Sequence, residues 1–161
     1  MSFYIILLVL FAIAFKIDAA FTNLQTLPAS MSDKDLTVCQ KNEPYHCALI
    51  SLSNSPQFID PTILIQIGEC NNKESNIEMN KIEVVKSHTP DFLNKDEYRP
   101  FWIKWSLQGK IMVGKGNDII PFLVYQHTEQ IFPINFIGLR TRWSDGYWII
   151  NEGNACHDDG C

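Results

Sequence analysis

Five cysteines and four histidines are the side chains of this chain best suited to covalent or metal chemistry. The cysteines are Cys39, Cys47, Cys70, Cys156 and Cys161, and the histidines are His46, His88, His127 and His157. A zinc site would draw on Cys156, Cys161 and His157. No two cysteines are separated by two residues, the spacing on which structural zinc sites are built, so no metal is expected. Cys156 and His157 could be read as a nucleophile and its base, but adjacency in sequence does not align two side chains for proton transfer. Asp145 and Glu129 become a carboxylate pair only if the fold joins them. No catalytic residue is assigned.

Disulfides use the cysteines better. Cys39 and Cys47 flank Asn42-Glu43-Pro44, a turn-forming stretch, and so could face each other across a hairpin. Cys156 and Cys161 bracket His157 to Gly160 and could close a terminal loop. Cys70 is then unpaired and open to a disulfide with a second molecule. Spacing alone leaves the connectivity open.

Disulfides need an oxidising compartment, and the N-terminus supplies a route to one. The chain is unbroken apolar from Ile5 to Phe15, followed by Lys16, Asp18 and the small pair Ala19-Ala20. A core of about 11 residues is too short for a bilayer, which takes about 20. It suits the apolar region of a secretory signal. The segment before it carries no Lys or Arg. Cleavage is expected after Ala19, because cutting after Ala20 would set charged Asp18 three positions back. Residues 1–19 are thus expected to be removed. The mature protein is expected to be secreted and extracellular, with no stable membrane insertion. The net charge of −5 excludes the basic footprint of a nucleic-acid binder. The chain also lacks the Lys/Arg cluster of an anionic-membrane binder.

The elements that must position any site read as strands. Thr62 to Ile67 alternates, with Ile63, Ile65 and Ile67 on one face. In 101–107, Phe101, Ile103, Trp105 and Leu107 point one way and Trp102, Lys104 and Ser106 the other. Gln108-Gly109 turns the chain into Ile111-Met112-Val113. Further strands are expected at Ile119 to Tyr125, with Pro121 near its start, at Ile134 to Leu139, and at Tyr147 to Ile150. Leu36 to Cys39 and His46 to Ser51 read as a hairpin. No stretch has convincing helical periodicity. Short strands separated by turn signals predict an all-β fold, a single antiparallel β-sandwich of jelly-roll-like type. Asn151 to Cys161 reads as a polar tail.

The chain holds four tryptophans. Trp105 shares a face with Phe101, Ile103 and Leu107 and is expected in the core. Trp102 shares its face with Lys104. With Tyr125 these two form the candidate ligand groove, where an aromatic wall and a cation would suit a sugar or an amphipathic ligand; core packing is the alternative for Trp102.

An ordered string of motifs resembles a known family. Arg99-Pro100-Phe101-Trp102-Ile103, Gly109 to Gly116, Ile119 to Leu123, Phe136 to Thr141 and Tyr147-Trp148 together resemble the farnesoic acid O-methyltransferase-like domain. Ile65-Gln66-Ile67-Gly68, with Asn72 and Ser75, resembles its segment Ile-Gly-Gly-Trp-x-Asn-x-x-Ser. Glu69 and Cys70 depart from it, standing where the family has Gly and Trp. The resemblance places that domain at 36–150. Its name implies S-adenosylmethionine-dependent methylation of farnesoic acid. The residues argue otherwise. Val113 to Asn117 is the Gly-rich piece, and no helix pattern follows it as a nucleotide-binding turn requires. The expectation is a binding or interaction module without a cofactor, for a glycan, a lipid-like ligand or a protein partner. The O-methyltransferase is the alternative.

Overall fold

The computed structural model describes residues 13–17, 24–26, 33–41, 47–57, 61–116, 118–142 and 146–152, the first three segments and 150–152 as strand paths alone. The expected export segment, apart from 13–17, and the expected tail beyond 152 lie outside them.

Among the described residues, twelve strands make two six-stranded antiparallel sheets. In chain order they are β1 (Ile13–Ile17), β2 (Leu24–Thr26), β3 (Asp33–Lys41), β4 (Ala48–Ser53), β5 (Thr62–Gly68) and β6 (Glu74–Met79). Then come β7 (Ile82–His88), β8 (Arg99–Ser106), β9 (Lys110–Lys115), β10 (Pro121–Gln126), β11 (Phe136–Thr141) and β12 (Gly146–Glu152). One sheet runs β1-β12-β3-β8-β9-β10 and is called the first sheet; the second runs β2-β11-β4-β5-β6-β7. β4 to β7 is a meander in the second sheet, and β8 to β10 a meander in the first. The late strands β11 and β12 return to lie against the early strands β4 and β3.

Period-two alternation decides which residues meet between the sheets. Ile50, Leu52, Ile63, Ile65, Ile67 and Ile77 from the second sheet are fully buried. Phe101, Ile103, Ile111, Val113, Leu123 and Trp148 meet them from the first. Trp105 joins this core as its face predicts, whereas Leu107, expected on the same face, lies past the end of β8 and is exposed. The Gln108-Gly109 turn is present, with Gly109 at a φ of 89° and its N–H on Ser106 O. Pro121 opens β10 at a bulge.

One expected hairpin is corrected. β3 does not pair with β4: it lies between β12 and β8 in the first sheet, whereas β4 lies in the second. β3 and β4 therefore lie in different sheets, and the hairpin that was to bring Cys39 to Cys47 is not formed. β6 and β7 are strands that the periodicity does not announce. Their inward positions mix Ser75 with Ile77 and Met79, so the apolar alternation is broken.

Ser75 is buried because its hydroxyl meets the Thr89 hydroxyl at 2.6 Å. Beside it, the turn after β5 carries Cys70, Asn71 and Asn72 in succession at φ values of 49°, 60° and 61°. This left-handed stretch is costly for residues with a Cβ, least so for Asn. The Asn72 amide secures it. Nδ2 donates to Leu93 O and Oδ1 accepts from Leu93 N–H, both at 2.8 Å, inside the protein. The 89–93 strap is thereby stitched to the second sheet, and it sets Phe92 and Leu93 over the core. Replacing Asn72 by Ala would leave two buried backbone groups of Leu93 unpaired, at about 1–3 kcal/mol each. Urea unfolding of Asn72→Ala is expected to show a lower midpoint by a corresponding amount with an unchanged slope.

Candidate functional site

The expected groove on the first sheet is half assembled. Trp102 and Lys104 do share the outer face, with the Lys104 ammonium 5.3 Å from the indole centroid. Tyr125 is not with them. It pairs in register with Ile111, whose side chain is in the core, so it points inward and packs edge-on to His127. Trp102 is itself occupied. Its ring lies on Gly114, where an added Cβ would fall 2.0 Å from the indole. Its Nε1 donates to the Asp118 carbonyl at 2.8 Å. This half-buried indole fixes the β9–β10 turn. Gly114→Ala is expected to expel the ring and cost about 1–3 kcal/mol, read as a lowered melting temperature and a red-shifted tryptophan emission.

A second, larger constellation lies on the outer face of the second sheet. One row of register partners crosses five strands: Arg140, Leu49, Gln66, Asn76 and Lys86. Alternation makes the row inevitable, because the neighbours Leu139, Ile50, Ile65, Ile77 and Val85 all turn inward. Leu49 forms an apolar floor with 1% exposure, and Gln66 and Asn76 are each only 2% exposed.

These two carboxamides are buried under charged neighbours. Arg142 reaches Gln66 Oε1 at 3.3 Å and Glu69 Oε1 at 3.4 Å. Gln66 Nε2 donates to Glu78. Asn76 Nδ2 donates to Glu69 Oε2 and to Glu83 Oε2, both at 3.1 Å. Lys86 bridges Glu83 at 3.2 Å and Glu74 at 3.4 Å. Asn76 Oδ1 is the exception, a buried acceptor with no partner.

The charges shape one another's protonation. Glu74 is held below the usual carboxylate range by hydrogen bonds from Cys70 and Lys86 and by the Lys86 charge. The same Glu83 and Glu74 contacts raise Lys86. A carboxylate lowered in the fold favours the folded state above its unfolded pKa, and that contribution disappears as pH falls through the folded value. The Lys86–Glu74 contact is therefore expected to persist at neutral pH and to break only below the ordinary glutamate range. A carbon-detected NMR titration of the Glu74 carboxyl reads this directly.

Of the cysteines, Cys47 is buried with a free thiol, and Cys70 is exposed with a free thiol. Cys39 is placed by its strand alone, opposite Ile149 and Pro100. Cys156 and Cys161 lie outside the described residues. Sequence reading missed the polar row because β6 and β7 were not recognised. The pairing of polar with apolar positions in Gln66 to Ile67 and Asn76 to Ile77 was the available signal.

The family model described as "Farnesoic acid 0-methyl transferase" matches residues 33–154. The chain belongs to the farnesoic acid O-methyltransferase family. Asn72 and Ser75, two residues through which the resemblance runs, are those that secure the 89–93 strap. No curated protein matches the chain in sequence. Among solved structures, a Bacillus licheniformis β-glucanase is similar with a TM-score of 0.56 at 11% identity, over 89% of this chain and 79% of that one. A Ruminococcus gnavus sialidase CBM40 module bound to α2,3-sialyllactose aligns with a TM-score of 0.47 at 10% identity, over 81% of each chain. The glucanase likeness establishes a shared β-sandwich fold and no more.

Proposed function

We propose that this family member is a secreted, non-enzymatic binding module that takes a glycan on the outer face of the second sheet. The observation that carries the reading is the set of partly exposed charged side chains, Arg142, Lys86, Glu69 and Glu83, gathered over the carboxamides of Gln66 and Asn76. A sugar hydroxyl both donates and accepts, so it can pair with these carboxylates and cations together. A terpenoid acid would instead need an apolar enclosure for its chain, and this row offers Leu49 alone as an apolar floor.

The family's name keeps methyl transfer from S-adenosylmethionine to farnesoic acid as the alternative. The residues do not fit the cofactor. The Gly-rich piece is the end of β9 and its turn, and Gly114 makes room for Trp102 rather than for a ligand. The described strands pair antiparallel throughout, unlike the parallel sheet at whose switch point a nucleotide-like cofactor is held.

Calorimetric titration of the secreted protein with neutral and acidic oligosaccharides tests the reading. Saturable binding is expected, weakened about tenfold or more by Arg142→Ala, a loss of about 1.4 kcal/mol. Glycan binding untouched by Arg142→Ala, or micromolar binding of S-adenosylmethionine, would sink the proposal. Export is tested separately: the protein recovered from medium is expected to begin at Ala20.

A further inference from the structure

The two free thiols stand at the same end of the β4–β5 hairpin. Ala48 pairs with Ile67, so Cys47, the residue before Ala48, stands opposite Gly68. Cys70 is two residues beyond Gly68. The chain folds back tightly there, with Lys73 N–H on Glu69 O at 2.9 Å and Glu69 bridged to Glu74. The Cys47 carbonyl is tied to Arg142 N–H at 3.0 Å, so β4 is anchored where it begins.

We infer that Cys47 and Cys70 join as a disulfide in the oxidised protein, closing the turn after β5 onto the start of β4. A disulfide asks for Cα atoms about 4.4–6.8 Å apart. Partner residues on antiparallel strands already sit at about 4.5–5.5 Å. Cys70 therefore need come no nearer to Cys47 than Gly68 is placed by the register. Burial pushes the Cys47 thiol up, with Glu69 adding to this, Arg142 opposing it, and the nearby Cys70 making a smaller contribution. Cys39, the partner expected for Cys47, belongs to the other sheet.

The chemistry is thiol–disulfide exchange with a small-molecule disulfide such as oxidised glutathione. The exposed Cys70 thiolate attacks one sulfur, and one glutathione leaves as its thiolate. Cys47 then loses its proton and displaces the second glutathione. Two protein thiols are oxidised and one glutathione disulfide is reduced to two thiols. Glu74, through its hydrogen bond and its charge, raises the Cys70 thiol. Closure is therefore expected to accelerate as pH rises, and in Glu74→Gln. Closure would also hold Glu69 against Arg142 and Asn76; that consequence rests on the glycan reading, whereas the bond itself does not.

Peptide mapping under non-reducing conditions, on the full chain recovered from an oxidising host and on reduced protein treated with oxidised glutathione, decides the matter. A linked Cys47–Cys70 peptide is expected, lighter by two hydrogens than the separate pair. In the native oxidised protein Cys70 is expected to resist iodoacetamide, and in Cys47→Ser to be labelled fully. A Cys39–Cys47 peptide, or Cys70 labelled in the oxidised wild type, would overturn the inference. Because the map is made on the wild type, a poorly folding variant does not weaken the test. Glycan affinity with and without reductant reads the coupling to the site, so failure of one reading leaves the other standing.

Discussion

The side-chain alternation of β4, β5 and β6 is the constraint on which the rest of the molecule depends. Ile50, Ile65 and Ile77 are in register, and each is fully buried between the sheets. Burying a side chain of this size contributes about 1.5–3 kcal/mol, so the inward set cannot be exchanged for the outward one. A shift of one residue would bring Gln66 and Asn76 into the apolar core. Leu49, Gln66 and Asn76 are therefore committed to the outer face by the packing on the other side. The polar row is the reverse side of the core, and its geometry is as rigid as the core is.

Much of the first sheet was legible in the sequence. Trp105 and its inward neighbours, the Gly109 turn and Pro121 at a strand start all follow from period two and turn chemistry. The second sheet was legible at Thr62 to Ile67 and lost at β6. There Ser75 occupies an inward position, a choice that makes sense only once Thr89 is known to sit across from it. The candidate groove failed at one residue. The bulge between Pro121 and Leu123 adds a residue to β10, so the strand reaches Tyr125 with its side chain turned inward. The Cys39–Cys47 hairpin failed because a turn signal at 42–44 does not say whether the chain turns within a sheet or crosses to the other.

The motif positions of the family explain the scaffold more than the ligand. Asn72 and Ser75 secure a strap, Gly114 receives an indole, and Gly109 makes a turn. None of these jobs is chemical. Glu69 and Cys70, which depart from the resembled motif, stand beside the polar row: Glu69 meets Asn76 and Arg142, and Cys70 meets Glu74, which bridges Lys86.

The place of β12 has a consequence for maturation. It lies between β3 and β1, and β1 falls within the segment proposed as an export signal. Removal of that segment would turn β12 from an interior strand into a border of the first sheet, with one row of N–H and C=O groups released. Tyr147, which is already exposed, would stand on that border. If residues 1–19 are removed as proposed, the first sheet would then end on an open β-ladder, a template for pairing with another chain.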